Sequence, residues 1–112
     1  MTTLKFALQN FASSDRGRRA RALLAPYGIE PEKLLVAVFN QVSEDLPALV
    51  PGFPYSTEQL CGPDLWFRLK SDGPRRSAGM CLSHLVAVRA VPLELAKPTG
   101  SYPLRFRLVV GA

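Results

Sequence analysis

The residues best suited to bind a partner lie in one stretch, RRSAGMCLSHLVAVRAVPLEL, at positions 75–95. The apolar spacing predicts a helix over 74–90, which at about 100° per residue presents two different faces. The first face is apolar and holds Ala78, Cys81, Leu82, Leu85 and Val86. The opposite face holds Arg76, Met80, Ser83, His84 and Ala87. Because this second face carries a cation and hydrogen-bonding groups but no carboxylate, it favours contact with a negatively charged partner.

The distribution of charge supports the same interpretation. The chain of 112 residues has a formal charge of +5, and the positive excess lies in its C-terminal part. From Phe67 onward, Asp72 and Glu94 are opposed by eight basic residues. These are Arg68, Lys70, Arg75, Arg76, Arg89, Lys97, Arg105 and Arg107. Such an asymmetry is typical of proteins with a polyanionic partner, although ordinary surfaces also show it.

Motifs for catalysis and for metal binding are missing from the sequence. His84 is the single histidine, no strained nucleophile turn surrounds a serine, and neither a phosphate-binding loop nor a dinucleotide fingerprint occurs. Cys61 and Cys81 both lie among apolar residues, which predicts small buried side chains rather than a disulfide or a zinc site. We therefore expect no enzymatic activity, no cofactor and no metal.

The length and the pattern of the chain predict one domain, residues 1–112, of the α+β class and mostly helical. Its N-terminal part, residues 1–54, is expected to be helical. One helix follows the sequence SSD and ends before Gly28, and a second begins at Pro31 and stops before the next proline. Residues 4–11 fit a strand and a helix equally well.

The C-terminal part, residues 55–112, reads as two helices followed by a hairpin. Ser56 and Gln59 have the spacing of a capping box, so a short helix begins there, Gly62 ends it, and Pro63 opens the segment PDLWFRLK. The longer helix follows the turn SDGP. Alternating apolar and polar residues in VPLELA and SYPLRFRLVV then predict the two strands of a hairpin over 91–110.

A helix, a turn, a longer helix and a two-stranded hairpin, in this order, resemble the winged helix-turn-helix family. The likeness rests on STEQLCGPDLWFRL, RRSAGMCLSHLVAVRAVPLEL and SYPLRFRLV, and it covers residues 55–110. The family usually has a glycine before the first strand of the hairpin, whereas this chain has Ala90. That departure favours a helix that continues rather than a sharp turn.

The resemblance implies a small protein that binds double-stranded DNA and regulates transcription. In this family the second helix of the motif enters the major groove, and the hairpin, or wing, lies along the backbone or in the minor groove. The implied contacts to bases come from Arg76, Met80, Ser83, His84 and Ala87. The implied contacts to phosphates come from Lys97, Arg105 and Arg107 in the wing, and from Arg75 and Ser77 at the start of the helix.

Three alternatives to these interpretations remain at this point. The same basic face would suit an acidic protein partner, and the chain would then be a non-enzymatic interaction, accessory or inhibitor module. Arg105 and Arg107 would also protect an edge strand against aggregation. The cluster RGRRAR, residues 16–21, is either a second nucleic-acid patch or the solvated side of a helix.

A homodimer is also expected, because a single recognition helix contacts few bases. The candidate dimer interface is the apolar stripe Leu35, Val38, Phe39 and Val42, which would serve equally well as intramolecular core. No apolar run is long enough to span a membrane, and the first residues do not resemble a secretory signal. The sequence therefore predicts a cytoplasmic protein without a membrane partner.

Overall fold

A computed structural model of the chain describes residues 3–96 and 104–109. Within these ranges the chain forms five α-helices and three short strands, which confirms the predicted α+β class with mostly helical content. The elements, in order, are α1 (Leu4–Phe11), α2 (Asp15–Leu24), α3 (Pro31–Asp45), β1 (Tyr55–Ser56), α4 (Thr57–Leu69), α5 (Asp72–Ala87), β2 (Leu93–Leu95) and β3 (Arg105–Leu108). Short 3-10 helices, Ala25–Tyr27 and Leu46–Ala48, extend α2 and α3.

The N-terminal segment, whose periodicity was compatible with either structure, is the helix α1. Ala7 and Phe11 lie one turn apart and are both completely buried. The corner between α1 and α2 is tight because the Ser14 hydroxyl donates to the Phe11 carbonyl oxygen at 2.7 Å and accepts from the Gly17 N–H at 2.9 Å. A Cβ at Gly17 would overlap the Phe11 carbonyl group, so this corner requires glycine.

The helix α3 is the centre of the core rather than a dimer interface. It begins at Pro31 and ends at Asp45, as the proline signals predict. Leu35, Val38 and Val42 are completely buried, and α1, α4 and α5 of the same chain pack around this helix. Phe39 is half-buried and also packs against the core. The predicted dimer interface on Leu35, Val38, Phe39 and Val42 is therefore wrong, because the chain itself covers this stripe.

The capping box predicted at the start of α4 is confirmed. The Ser56 hydroxyl accepts from the Gln59 N–H, and the Gln59 side chain accepts from the Ser56 N–H. Gly62 interrupts the helix with φ 76° and ψ 162°, as its position before a proline suggests.

Cys61 and Cys81 are buried free thiols, and burial raises the pKa of Cys61 to about 12. They therefore act as small core residues, as expected.

The helix α5 ends earlier than the sequence suggested. The Ala90 N–H donates to the Leu85 carbonyl oxygen at 2.8 Å, and the Arg89 N–H donates to the Val86 carbonyl oxygen at 3.1 Å. This is the Schellman arrangement, in which the residue after the helix adopts a left-handed conformation, here Arg89 with φ 60°. The predicted continuation of the helix through Ala90 is wrong, because the sharp turn occurs one residue earlier and without glycine.

The two strands of the predicted hairpin pair in the register Leu93↔Leu108 and Leu95↔Phe106. A third strand, β1, pairs with the other edge of β3, which gives an antiparallel sheet of order β1-β3-β2. With two residues, β1 is too short to show the alternation that reveals a strand in a sequence.

The described part of the chain contains no helix of the length and apolarity needed to cross a membrane.

Candidate nucleic-acid interface

The candidate interface is the exposed strip of α5, which we define by Arg76, Met80, Ser83 and Ala87. Arg76 and Ala87 are exposed, whereas Met80 and Ser83 are half-buried. At about 100° per residue these four positions lie on one side of the helix, opposite Cys81 and Leu85. Between Asp72 and Glu94 the chain has no carboxylate. Four of the predicted base-contacting residues therefore lie together on one side of α5, whose single carboxylate is Asp72 at its start.

His84, the fifth predicted base-contacting residue, lies in the core. Its side chain is 3% exposed, and its Nε2 lies 3.0 Å from the Ala7 carbonyl oxygen of α1. Because a carbonyl oxygen can only accept, Nε2 carries the hydrogen. The ring also packs against Phe11, with 5.0 Å between the ring centroids. The prediction that His84 faces DNA is wrong, because α1 covers this edge of α5.

Burial determines the protonation state of His84. Desolvation lowers the pKa of His84, the hydrogen bond to the Ala7 carbonyl oxygen opposes this effect, and the positive charge of Arg16 lowers the pKa further. The imidazole is therefore neutral at physiological pH and serves as a hydrogen-bond donor that fastens α1 to α5.

Ser77, predicted to contact a phosphate, also lies inside the protein. It is completely buried, and its hydroxyl donates to the Gly73 carbonyl oxygen one turn earlier in α5, at 2.9 Å. This arrangement satisfies the hydroxyl inside the protein. The prediction that Ser77 contacts a phosphate is wrong, because α2 packs along this side of α5.

Arg75 links the helices α4 and α5. Its guanidinium lies over the ring of Trp66, 5.1 Å from the centroid, and its Nε and Nη2 donate to the Trp66 carbonyl oxygen at 3.3 Å and 3.2 Å. These contacts fix α5 against α4 and occupy two of the donors that the sequence assigned to a phosphate. Arg75 therefore positions α5, and Arg76 beside it is the more exposed cation of the pair.

Arg76 has one weak intramolecular partner. Its Nη1 lies 4.0 Å from an Asp72 carboxylate oxygen, and the two side chains are 61% and 86% exposed. An exposed ion pair at this distance contributes little and is screened by salt. The guanidinium of Arg76 is consequently available to an external acceptor.

The two arginines of β3, which were predicted to lie in a wing, differ from each other. Arg107 forms an ion pair of 3.3 Å with Glu94, its cross-strand neighbour in the sheet, so much of its charge is balanced inside the protein. Arg105 is exposed and forms no ion pair within the described ranges. Lys97, the third predicted wing residue, lies outside the described residues. Of the two described wing arginines, Arg105 is the better candidate for a phosphate contact.

The helix α2 flanks the exposed strip and was missed as part of this surface. It packs along α5, and a Cβ at Gly73 would lie 3.2 Å from the Leu23 carbonyl oxygen. The major groove, about 12 Å wide, admits a helix of about 10–12 Å diameter. Because α2 stands so close beside α5, a groove of this width would admit the exposed strip of α5 but not its whole circumference.

Both ends of α5 carry a basic residue in a conformation that normally favours glycine. Arg89 has φ 60° after the helix, and Lys70 has φ 60° in the turn before it. A left-handed backbone at a residue other than glycine costs about 1–2 kcal/mol. Residues held in such conformations are concentrated at functional sites. Because the backbone conformation at these two positions favours glycine, it does not explain the lysine and the arginine found there. A role for their charged side chains explains these residues better.

The surface around α4 includes the side chain of Phe67, which is 73% exposed, whereas Trp66 beside it is half-buried. In the described ranges no group of three histidine, cysteine or acidic side chains comes together as a metal site would require.

The chain matches no protein-family model, no curated protein and no solved structure.

Proposed function

We propose that this chain is a small winged-helix protein that binds double-stranded DNA and regulates transcription. The observation that carries the proposal is the exposed strip of α5, where Arg76 has a long ion pair of 4.0 Å with Asp72 and where the sequence has no carboxylate from Gly73 to Leu93. The order of α4, a tight turn, α5 and the paired strands β2 and β3 supports it. Arg105 on β3 adds a second exposed cation.

The exposed strip offers two kinds of contact to a major groove. A guanidinium such as that of Arg76 can donate to the O6 and N7 acceptors of guanine. Met80 and Ala87 present apolar surface that suits the methyl group of thymine, and Ser83 can donate or accept. Arg105 is placed on the wing and would contact a phosphate, which positions the protein without reading sequence.

Direct binding measurements test the proposal. We expect fluorescence anisotropy with a labelled duplex of random sequence to show micromolar binding that weakens steeply as salt rises, because phosphate contacts release counterions. The double variant Arg76→Ala, Arg105→Ala should bind more weakly and with a smaller salt slope. The matched double variant Lys5→Ala, Lys33→Ala also removes two exposed cations, on the α1 and α3 side of the molecule, and should behave as wild type. A wild-type protein that does not bind duplex DNA even at low salt would overturn the proposal.

An acidic protein is the second candidate partner. Two observations favour it, namely the position of α2 beside α5, which makes this surface broad, and the exposed phenyl ring of Phe67. Protein interfaces are enriched in aromatic residues and arginine. Binding to an acidic polypeptide such as poly-glutamate that survives an excess of duplex DNA, and that weakens on Phe67→Ala, would favour this candidate over DNA.

A further inference from the structure

The four arginines of α2 differ in their partners. Arg18 and Arg19 both pair with Asp15, at 3.6 Å and 3.1 Å. Arg21 reaches α3, where it pairs with Glu32 at 3.0 Å. Arg16 is exposed and forms no ion pair within residues 3–96 and 104–109. In this cluster Arg16 is therefore the cation whose charge the described chain leaves unbalanced.

Arg16 lies beside the C-terminal half of α5. The end of α2 meets the start of α5, because the Leu23 carbonyl oxygen approaches Gly73. The start of α2 lies near His84, because Gly17 abuts the Phe11 carbonyl group and the Phe11 ring packs against the His84 ring, with 5.0 Å between the centroids. The two helices are consequently antiparallel. Arg16 precedes the buried Ala20 by one helical turn, so it lies on the side of α2 that borders α5.

Arg16 and Arg76 stand at opposite ends of the exposed strip. The start of α2, which carries Arg16, lies near His84, and His84 follows Arg76 by two turns of helix, or about 12 Å along α5 at 1.5 Å per residue. Met80 and Ser83 lie between these two positions and carry no charge.

We infer that Arg16 is a phosphate-contacting residue and that α2 and α5 together form the DNA-binding face. Arg16 lies at the edge of this face and contacts a phosphate, whereas Arg76 and the uncharged middle of the exposed strip face the base edges. This inference rests on the proposed function and extends it, since it assigns a role to α2. It also gives a use to the close packing of α2 on α5, which limits how far α5 alone can enter a groove.

The structure offers a matched pair of variants for the test, Arg16→Ala and Arg19→Ala. Both residues are exposed on the same helix, and they differ in that Asp15 already balances Arg19. The measurement is the dependence of duplex affinity on salt, made at about pH 8 so that His84, with an ordinary pKa near 6.5, is neutral in every variant. Circular dichroism verifies that each variant is folded.

We expect Arg16→Ala to reduce the slope of log affinity on log salt by about 0.9 and to weaken binding about fivefold to tenfold at about 0.1 M salt, alike for all sequences. Arg19→Ala should retain the wild-type slope, and Arg16→Lys should restore it. A wild-type slope in Arg16→Ala, or an equal loss in Arg19→Ala, would overturn the inference. In that case a loss of affinity in Arg76→Ala, Arg105→Ala would leave the proposed function standing, whereas a wild-type protein that does not bind duplex DNA would overturn both.

Discussion

The two sides of α5 contain similar residue types but lie in opposite environments. Ser77 and Ser83 lie less than two turns apart, yet Ser77 is completely buried and donates within its own helix, whereas Ser83 lies on the exposed strip. His84 follows Ser83 directly and is fastened to α1. The difference teaches that a polar side chain on a helix does not mark the binding surface, because the neighbouring helices decide which polar groups water or a ligand can reach.

The largest effect expected from this comparison is on folding stability. Leu85→Ala, on the covered side of α5, should lower the free energy of unfolding by about 2–5 kcal/mol, because it leaves a cavity in a completely buried position. Met80→Ala, on the exposed strip, should cost about 1 kcal/mol or less, since its side chain is half-buried. Urea denaturation measures both, and equal losses would show that the two sides are not distinct.

The next effect should appear in DNA binding. Arg76→Ala should cost about 1–3 kcal/mol of binding free energy and relax the preference for one base pair, because a bidentate contact to guanine is lost. The free energy of unfolding should change by about 0.5 kcal/mol or less, as is usual for an exposed position. Arg105→Ala is the control, since the loss of a phosphate contact weakens all sequences alike. Competition between selected and random duplexes distinguishes the two results.

A smaller effect on folding stability is expected when the pH changes, through His84 on the covered side of α5. Burial lowers the pKa of His84 in the folded protein, so the unfolded chain binds its proton more readily. The stabilisation by neutral His84 is complete above its unfolded pKa of about 6.5 and is lost as pH falls through that value towards the folded pKa. His84→Gln retains a donor for the Ala7 carbonyl oxygen and should remove this part of the pH dependence. Thermal unfolding between about pH 5 and pH 8 measures it, and an unchanged dependence in the variant would contradict the assignment.

The smallest effect on folding stability is expected at Arg89, in the turn that ends α5. Arg89→Gly should raise the free energy of unfolding by about 0.5–1 kcal/mol, because glycine adopts the left-handed conformation without the penalty of a Cβ. Arg89→Ala keeps the strain and should show no such gain. If Arg89→Gly also lowers DNA affinity, the cation at this position belongs with the exposed strip. A loss of stability would show that the Arg89 side chain supports the fold instead.

Signals that act over a few residues were sufficient to predict most of the helices. The capping box at Ser56, the proline that begins α3, and the glycine that interrupts α4 each act on the backbone within one turn. The apolar spacing of α3 and α5 identified core positions such as Val38 and Leu85 for the same reason, since the period of a helix is fixed by its geometry. The alternation of apolar and polar residues likewise located the strands β2 and β3.

Contacts between distant parts of the chain decided the features that local signals did not predict. His84 is 77 residues away from the carbonyl group it binds, and nothing in its local sequence indicates that α1 would cover it. The pairing of Glu32 with Arg21, and the strand β1 opposite β3, likewise depend on how the elements are packed. The sequence by itself determined the helices, the hairpin and the excess of basic residues, because these follow from local geometry and composition. The tertiary structure alone decided which of those cations remain unbalanced and exposed, because ion pairing and burial depend on neighbours that packing brings together.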